Sequence, residues 1–238
     1  MRILLHDAMQ DMDTTAAPDL APLKTPGLSD VYTFSEGFIK LAFPYAVTID
    51  CVGIGNYGPA GLGADGHGEL RVRKAGETAF VAVRYADDGL YLLGRSVTLA
   101  AGETLEVAAP RGSIVGRLAF GKAVNIPTSV TKEPGINSTS KSRRTLSGQV
   151  VPGAGGYIYR TLSLDSRYVL GGEAISELEK GRRHIGKGHP FFLDLTRESY
   201  KLPFERLYAV ERNQKAIELA GSAARYLFGK SWDFRQAF

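Results

Sequence analysis

Ile114-Val-Gly-Arg-Leu-Ala-Phe-Gly121 is a strand-like apolar run that closes the first half of this chain. Before it, short runs rich in β-branched and aromatic residues recur at close intervals, and turn-forming clusters such as Asp87-Asp88-Gly89 separate them. This spacing is typical of a β-sandwich or barrel and not of alternating strands and helices. The predicted strands cover residues 31–34, 38–43, 46–54, 69–73, 78–85, 90–93, 97–99, 104–108 and 113–120.

A polar stretch over residues 127–144 follows this run, with two prolines and few large apolar side chains. Such a stretch is typical of an exposed connection between domains. Near the start of the chain, residues 7–26 are also polar and contain three prolines, which predicts an arm. We therefore predict an N-terminal arm or linker (1–30), a jelly-roll-like β-sandwich domain (31–127), a linker (128–144) and a second domain (145–238).

The second domain is predicted to be a small α+β unit with one helix. Two strands, 145–151 and 157–164, are joined by Pro152-Gly-Ala-Gly-Gly156, which has the composition of a hairpin loop. A helix is expected to start at Ser166 or Gly172 and to end at Gly186. Its apolar stripe has i, i+3, i+7, i+10 spacing, formed by Ile175, Leu178, Arg182 and Ile185. Further strands are predicted at 190–195, 206–211, 216–219, and 225–228 or 231–234.

The charge is unevenly distributed along the 238 residues. The whole chain has 29 Lys and Arg against 25 Asp and Glu; residues 1–131 contain 11 against 14, and residues 132–238 contain 18 against 11. The basic residues of the second half are scattered among acids, which favours solvated faces and ion pairs between subunits. We therefore expect no nucleic-acid partner.

The single cysteine and the hydropathy pattern indicate the cellular compartment in which the protein is made. Cys51 lies inside an apolar run, cannot form an intramolecular disulfide and is expected to be buried. The apolar start of the chain is too short for the core of a signal peptide, and no segment approaches the ~18 apolar residues of a membrane span. We expect a protein made in a reducing cytoplasm without a membrane partner.

The stretch Gly53-Ile-Gly-Asn-Tyr-Gly58 matches the dinucleotide-binding pattern G-x-G-x-x-G. That site requires a helix to begin within the turn, since helix N-terminal amides hold the pyrophosphate. Pro59 and four further glycines follow instead, which argue against a helix. The pattern is interpreted as a glycine-rich loop between strands, with no cofactor.

No combination of residues predicts catalysis. The four histidines have no usable metal spacing apart from the loose pair His184 and His189, which has no acid or cysteine beside it. No serine lies in a nucleophile motif. We predict no catalytic, cofactor-binding or metal-binding residue, and a cell-wall hydrolase using an acid such as Asp65 is disfavoured.

Two groups of residues are candidates for binding. Around the glycine-rich loop, Tyr57 with Asp65, His67 and Arg71 could stack on and hydrogen-bond a sugar. The alternative is that these aromatic side chains fill the β core or line a subunit interface. At the C-terminus, a candidate subunit interface is formed by Trp232, Phe234 and Phe238.

Several stretches together resemble distal tail and tail-tip proteins of tailed bacteriophages. They are Phe43-Pro-Tyr-Ala-Val-Thr-Ile-Asp-Cys-Val-Gly-Ile-Gly-Asn56, the run 114–121, Arg144-Thr-Leu-Ser-Gly-Gln149, Arg160-Thr-Leu-Ser-Leu-Asp165 and Pro190-Phe-Phe-Leu-Asp-Leu195. The resemblance spans roughly residues 31–211. It implies a jelly-roll-like domain akin to galactose-binding modules.

The resemblance also implies a structural protein of the virion, made in the host bacterial cytoplasm. Such a protein assembles as a symmetric homo-oligomeric ring at the tail tip or baseplate, six-fold in preference to three-fold, and joins the tail tube to the hub and fibres. It is not an enzyme. The alternative expectation is a carbohydrate-binding or host-recognition module that binds cell-surface glycans.

Overall fold

The computed structural model describes residues 1–4, 6–12, 18–25, 27–61, 69–125, 130–138, 143–144, 150–151, 158–170, 190–196, 206–211, 218–222 and 225–237. In these residues the protein is mainly β, as the sequence predicts. The helical segments within this part are two short 3₁₀ turns, Ala8–Asp11 and Pro18–Lys24.

The strands are numbered in chain order. The first half contains β1 (Arg2–Leu4), β2 (Tyr32–Thr33), β3 (Phe38–Ala42), β4 (Val47–Gly58), β5 (Glu69–Lys74), β6 (Val81–Arg84), β7 (Gly89–Leu99), β8 (Thr104–Ala108), β9 (Ile114–Gly121) and β10 (Ala123–Asn125). The second half contains β11 (Val130–Ser138), β12 (Arg143–Arg144), β13 (Val150–Val151), β14 (Ile158–Leu170), β15 (Phe191–Asp194), β16 (Arg206–Glu211), β17 (Glu218–Ser222) and β18 (Arg225–Gln236).

Strands β2 to β9 form two four-stranded antiparallel sheets that face each other. The middle sheet has the order β2-β9-β4-β7, and the outer sheet has the order β3-β8-β5-β6. Alternation along the strands fills the space between them: β3 buries Ile39 and Leu41 and exposes Phe38, Lys40 and Ala42. One continuous hydrophobic core therefore lies between the two sheets.

β12 and β13 pair with each other, and the other remaining strands form a large sheet in the order β10-β1-β15-β16-β18-β14-β11, with β17 also paired to β18. This large sheet packs against the other face of the middle sheet, where Phe192 and Tyr208 meet Cys51, Leu90 and Ala119. The middle sheet is thus covered on both faces, which explains why β9 is buried from Val115 to Gly121.

Two glycines of β4 make this close packing possible. A Cβ atom on Gly53 would lie 2.2 Å from Cδ2 of Phe192, and one on Gly55 would lie 2.7 Å from a methyl group of Leu28. The interpretation of Gly53–Gly58 as a loop is therefore wrong: these residues are the end of a strand, and the first two glycines of the motif leave room for side chains of other segments.

The predicted arm (1–30) is integrated into the fold. β1 lies between β10 and β15 in the large sheet, and Met9 and Leu23 are fully buried in the sandwich core. Proline and polar residues led to the arm prediction, whereas the segment is held by long-range pairing that no local pattern reveals. The predicted linker (128–144) likewise contains β11, which pairs antiparallel with β14. The division of the chain into domains stays a prediction.

The strands of the second half agree in part with the sequence. β16 has the predicted bounds, and the two alternatives for the last strand are parts of one strand, β18. Ser166 lies inside β14 and therefore does not start a helix. The predicted helix over residues 172–186 lies outside the described residues, and so does the predicted loop over residues 152–156.

Candidate interaction surfaces

Tyr57, a predicted sugar-binding residue, is directed into the sandwich core and is 5 % exposed. Its hydroxyl donates to the Glu69 carbonyl at 3.3 Å, and its ring meets that of Tyr85 edge to face at 5.3 Å. Burial raises the pKa of Tyr57. The prediction that Tyr57 stacks on a sugar is therefore wrong, and its side chain fills the β core instead. Asn56, the preceding residue, has a positive φ of 49°, which interrupts the alternation of side chains along β4.

Tyr85 and Tyr91 continue this buried cluster into the turn between β6 and β7. Tyr85 donates to the Asp88 carboxylate at 2.6 Å, and Tyr91 donates to the Asp87 carbonyl at 2.6 Å. Burial and the nearby carboxylate of Asp88 raise the pKa of Tyr85. The Tyr91 hydroxyl also accepts from the amides of Ala86 and Asp87, so both hydroxyls help to fix the turn.

Arg71 is the other predicted ligand residue that the structure describes, and it is exposed on the face of the outer sheet that points away from the sandwich core. Its guanidinium lies 5.3 Å from the ring centre of Phe80, and that of Arg73 lies 4.1 Å from the same ring. Glu106 accepts from Arg73 at 2.6 Å and pairs with Lys40 at 3.6 Å. Among the described residues no carboxylate pairs with Arg71. The remaining predicted members, Asp65 and His67, lie outside the described residues.

The predicted C-terminal interface is only partly described. Phe234 is 1 % exposed and packs edge to face on Phe191 at 5.6 Å, so its assignment to an exposed interface is wrong. Its burial follows from β18, which pairs with β14 from Thr161–Arg235 to Leu170–Tyr226 and directs alternate side chains to the two faces. Trp232 lies opposite Leu164 in this ladder. Phe238 lies outside the described residues.

A buried ion pair that the sequence analysis missed fastens the N-terminal segment to β9. Asp7 accepts from Nη2 of Arg117 at 2.9 Å and from the backbone amides of Met9 and Phe120 at 3.0 and 3.1 Å. Burial raises the pKa of Asp7, and the Arg117 guanidinium and the amides oppose this effect. The signal was present in the sequence: a lone arginine in the apolar run 114–121 needs a buried partner.

A second buried pair ties β1 to β15 in the large sheet. Arg2 donates to Asp194 at 2.9 Å, and the same carboxylate accepts from the amide and the hydroxyl of Thr196 at 3.0 and 2.7 Å. At the rim between the middle and large sheets, the guanidinium of Arg206 lies 4.3 Å from the ring centre of Tyr91. These buried charges therefore connect segments and layers.

No protein-family model, curated protein or solved structure matches this chain. In the described part, no three His, Cys, Asp or Glu side chains come together as a metal-binding group. No helix there is long and apolar enough to cross a membrane.

Proposed function

We propose that this chain is a non-enzymatic structural component of a bacteriophage tail tip or baseplate. It forms a symmetric ring of identical subunits, six-fold in preference to three-fold, that joins the tail tube to the hub and fibres. It acts in the virion after synthesis in the host cytoplasm, with neither nucleic acid nor membrane as a partner.

The strand order of the sandwich carries this proposal. Counting β2 as the first of eight strands, one sheet contains the first, eighth, third and sixth, and the other contains the second, seventh, fourth and fifth. This order supports a jelly roll, the eight-stranded fold of two Greek keys that occurs in viral capsid proteins and lectins. The resemblance to tail-tip proteins implies a domain of the same type.

The use of buried charge further supports a structural role. Among the described residues, Arg2, Arg117 and Asp194 are buried charged residues, and each forms an ion pair between segments distant in sequence; Asp7, the partner of Arg117, has a side chain that is 13 % exposed. Such pairs specify which segments meet. The opposite charge of the two halves of the chain favours head-to-tail contacts between subunits, which close into rings.

Light scattering and electron microscopy of the purified protein test the proposal. The expected result is a closed ring of about six copies of the 25.7 kDa chain. A solution in which the chain stays monomeric at its highest soluble concentration would contradict it. The neighbouring genes give a second test, since genes for a tape-measure protein and a hub are expected beside this one.

Glycan binding is the second candidate function, and the face of the outer sheet that points away from the sandwich core favours it. Phe80 and Phe38 offer aromatic surface on this face, and Arg71 offers a guanidinium with no carboxylate partner among the described residues. Aromatic stacking beside charged hydrogen-bond donors is suited to sugars. Binding on a glycan array that disappears in Phe80→Ala and persists in Tyr57→Phe would support this function; no binding by the unaltered protein would exclude it.

A further inference from the structure

β3 forms an open edge of the outer sheet. The amide of Ala109 donates to the Gly37 carbonyl at 3.0 Å, one step beyond the pair Phe38–Ala108 in the β3–β8 register. Hydrogen-bonded and non-hydrogen-bonded pairs alternate in an antiparallel ladder. The N–H and C=O groups of Phe38, Lys40 and Ala42 therefore point away from β8, and no other described strand pairs with them.

The outward side chains of β3 are Phe38, Lys40 and Ala42, of which Phe38 is large and apolar. Phe38 is 43 % exposed and Val31 is 38 % exposed; with Leu92 they are the large exposed hydrophobic residues of the described part. β6 and β7, which end the two sheets at one side of the sandwich, are in contact, so β2 and β3 end them at the other side. Val31 directly precedes β2. Apolar side chains and free backbone groups thus coincide on one edge.

Three other edge strands among the described residues carry recognised protection against pairing with another chain. β11 contains Pro134 and a register shift between Lys132 and Gly135, and β2 and β10 are only two and three residues long. Proline, bulges and short length each discourage strand addition. β3 has five residues, no proline and an unbroken register with β8. Its one charged side chain is Lys40, whose ammonium lies 5.9 Å from the ring centre of Phe38 in the same strand.

We propose that β3 pairs antiparallel with β3 of a second copy of this chain, about a two-fold axis through Ile39. In this register Phe38 lies opposite the partner subunit's Lys40 and Lys40 lies opposite the partner subunit's Phe38. An ammonium beside an aromatic ring is a favourable cross-strand pair. The register centred on Lys40 would place two ammonium groups opposite each other, which is unfavourable.

This pairing joins two outer sheets into one continuous eight-stranded sheet. It is a two-fold contact, whereas a ring requires a head-to-tail contact, so it does not depend on the proposed function. A protein that makes both contacts forms paired rings, and a protein that makes only this one forms dimers.

The double variant Phe38→Cys/Lys40→Cys tests the register. In the proposed pairing the cysteine at position 38 of one subunit lies opposite the cysteine at position 40 of the other. The Cα atoms of such a pair are about 5.5 Å apart, which is within the range for a disulfide. Mild oxidation should give a covalent dimer on a non-reducing gel. The matched control is Arg71→Cys/Arg73→Cys, with the same spacing on the same sheet face, and it should stay monomeric on the gel.

Two outcomes would overturn the proposal. One is equal cross-linking of the double variant and its control. The other is efficient cross-linking of the single variant Lys40→Cys, which requires the register centred on Lys40. Lys40→Pro gives an independent readout by sedimentation: it removes an N–H that points away from β8, so it should keep the circular dichroism spectrum and halve the mass of the assembly. An unchanged mass would contradict the pairing.

Discussion

Replacing Gly53 by alanine should destabilise the protein, although alanine ordinarily suits a strand better than glycine. The new Cβ would lie 2.2, 2.6 and 2.8 Å from three ring atoms of Phe192. These atoms belong to a fully buried ring that stacks on Tyr208 with 4.4 Å between centroids, so the ring cannot move without breaking that contact. Overpacking of this kind costs about 1–3 kcal/mol, and we expect a loss of about 3 kcal/mol in the free energy of unfolding.

Gly94→Ala is the matched control, because Gly94 also lies in a strand, β7, and a Cβ there meets nothing within 4 Å. It should be neutral or stabilise the protein by up to about 1 kcal/mol, because glycine loses more backbone entropy on folding. Urea unfolding followed by circular dichroism measures both variants, with the slope m compared to detect changes in the unfolded state.

A second substitution should rescue the first. Phe192→Leu shortens the side chain opposite position 53, so Gly53→Ala should cost less in that background than in the unaltered protein. Non-additivity of this sort is expected for residues in contact. If Gly53→Ala is as stable as Gly94→Ala, the large sheet does not pack on the middle sheet as described.

Three further predictions concern the buried ion pair of Arg117, the buried thiol of Cys51 and the ion pair of Glu103 with Lys74. Arg117→Met leaves the Asp7 carboxylate buried without its cation and should lower the stability by about 3–5 kcal/mol in thermal or urea unfolding; wild-type stability would show that the pair is dispensable. Burial raises the pKa of the Cys51 thiol, so a thiol reagent at pH 8 should label it only as fast as the protein unfolds; rapid labelling of the folded protein would contradict this. The hydrogen bond from Lys74 and one from the backbone amide of Ala100 lower the pKa of Glu103 from its usual value. Glu103 therefore adds stability above its unfolded-state pKa that is lost as the pH falls through its folded-state value, and Glu103→Gln should flatten that part of the stability curve.

Local sequence patterns predicted most strands of the sandwich, because alternation and turn residues are encoded over a few positions. They failed where a distant segment decides the structure. The polar break at residues 94–96 suggested two strands, whereas β7 is continuous and its register with β4 shifts there instead. The role of Gly53 is set by Phe192, which is far away in the sequence.

The candidate site was harder to predict for the same reason. The sequence contains the aromatic and basic residues, but it does not state which face of a strand each side chain occupies. One residue with positive φ, Asn56, was enough to turn Tyr57 inward. The outer-sheet face around Arg71 becomes apparent only when β5, β6 and β8 are placed side by side.

The position of β1 has a consequence for how the protein is made. This strand is synthesised before both of its neighbours, β10, more than a hundred residues later, and β15, near residue 190. Contacts so far apart in sequence form slowly, since a long loop must close before they are gained. The residues of β1 should therefore be among the last to acquire their final neighbours, and chaperone assistance during synthesis would act chiefly while β1 waits for these later strands.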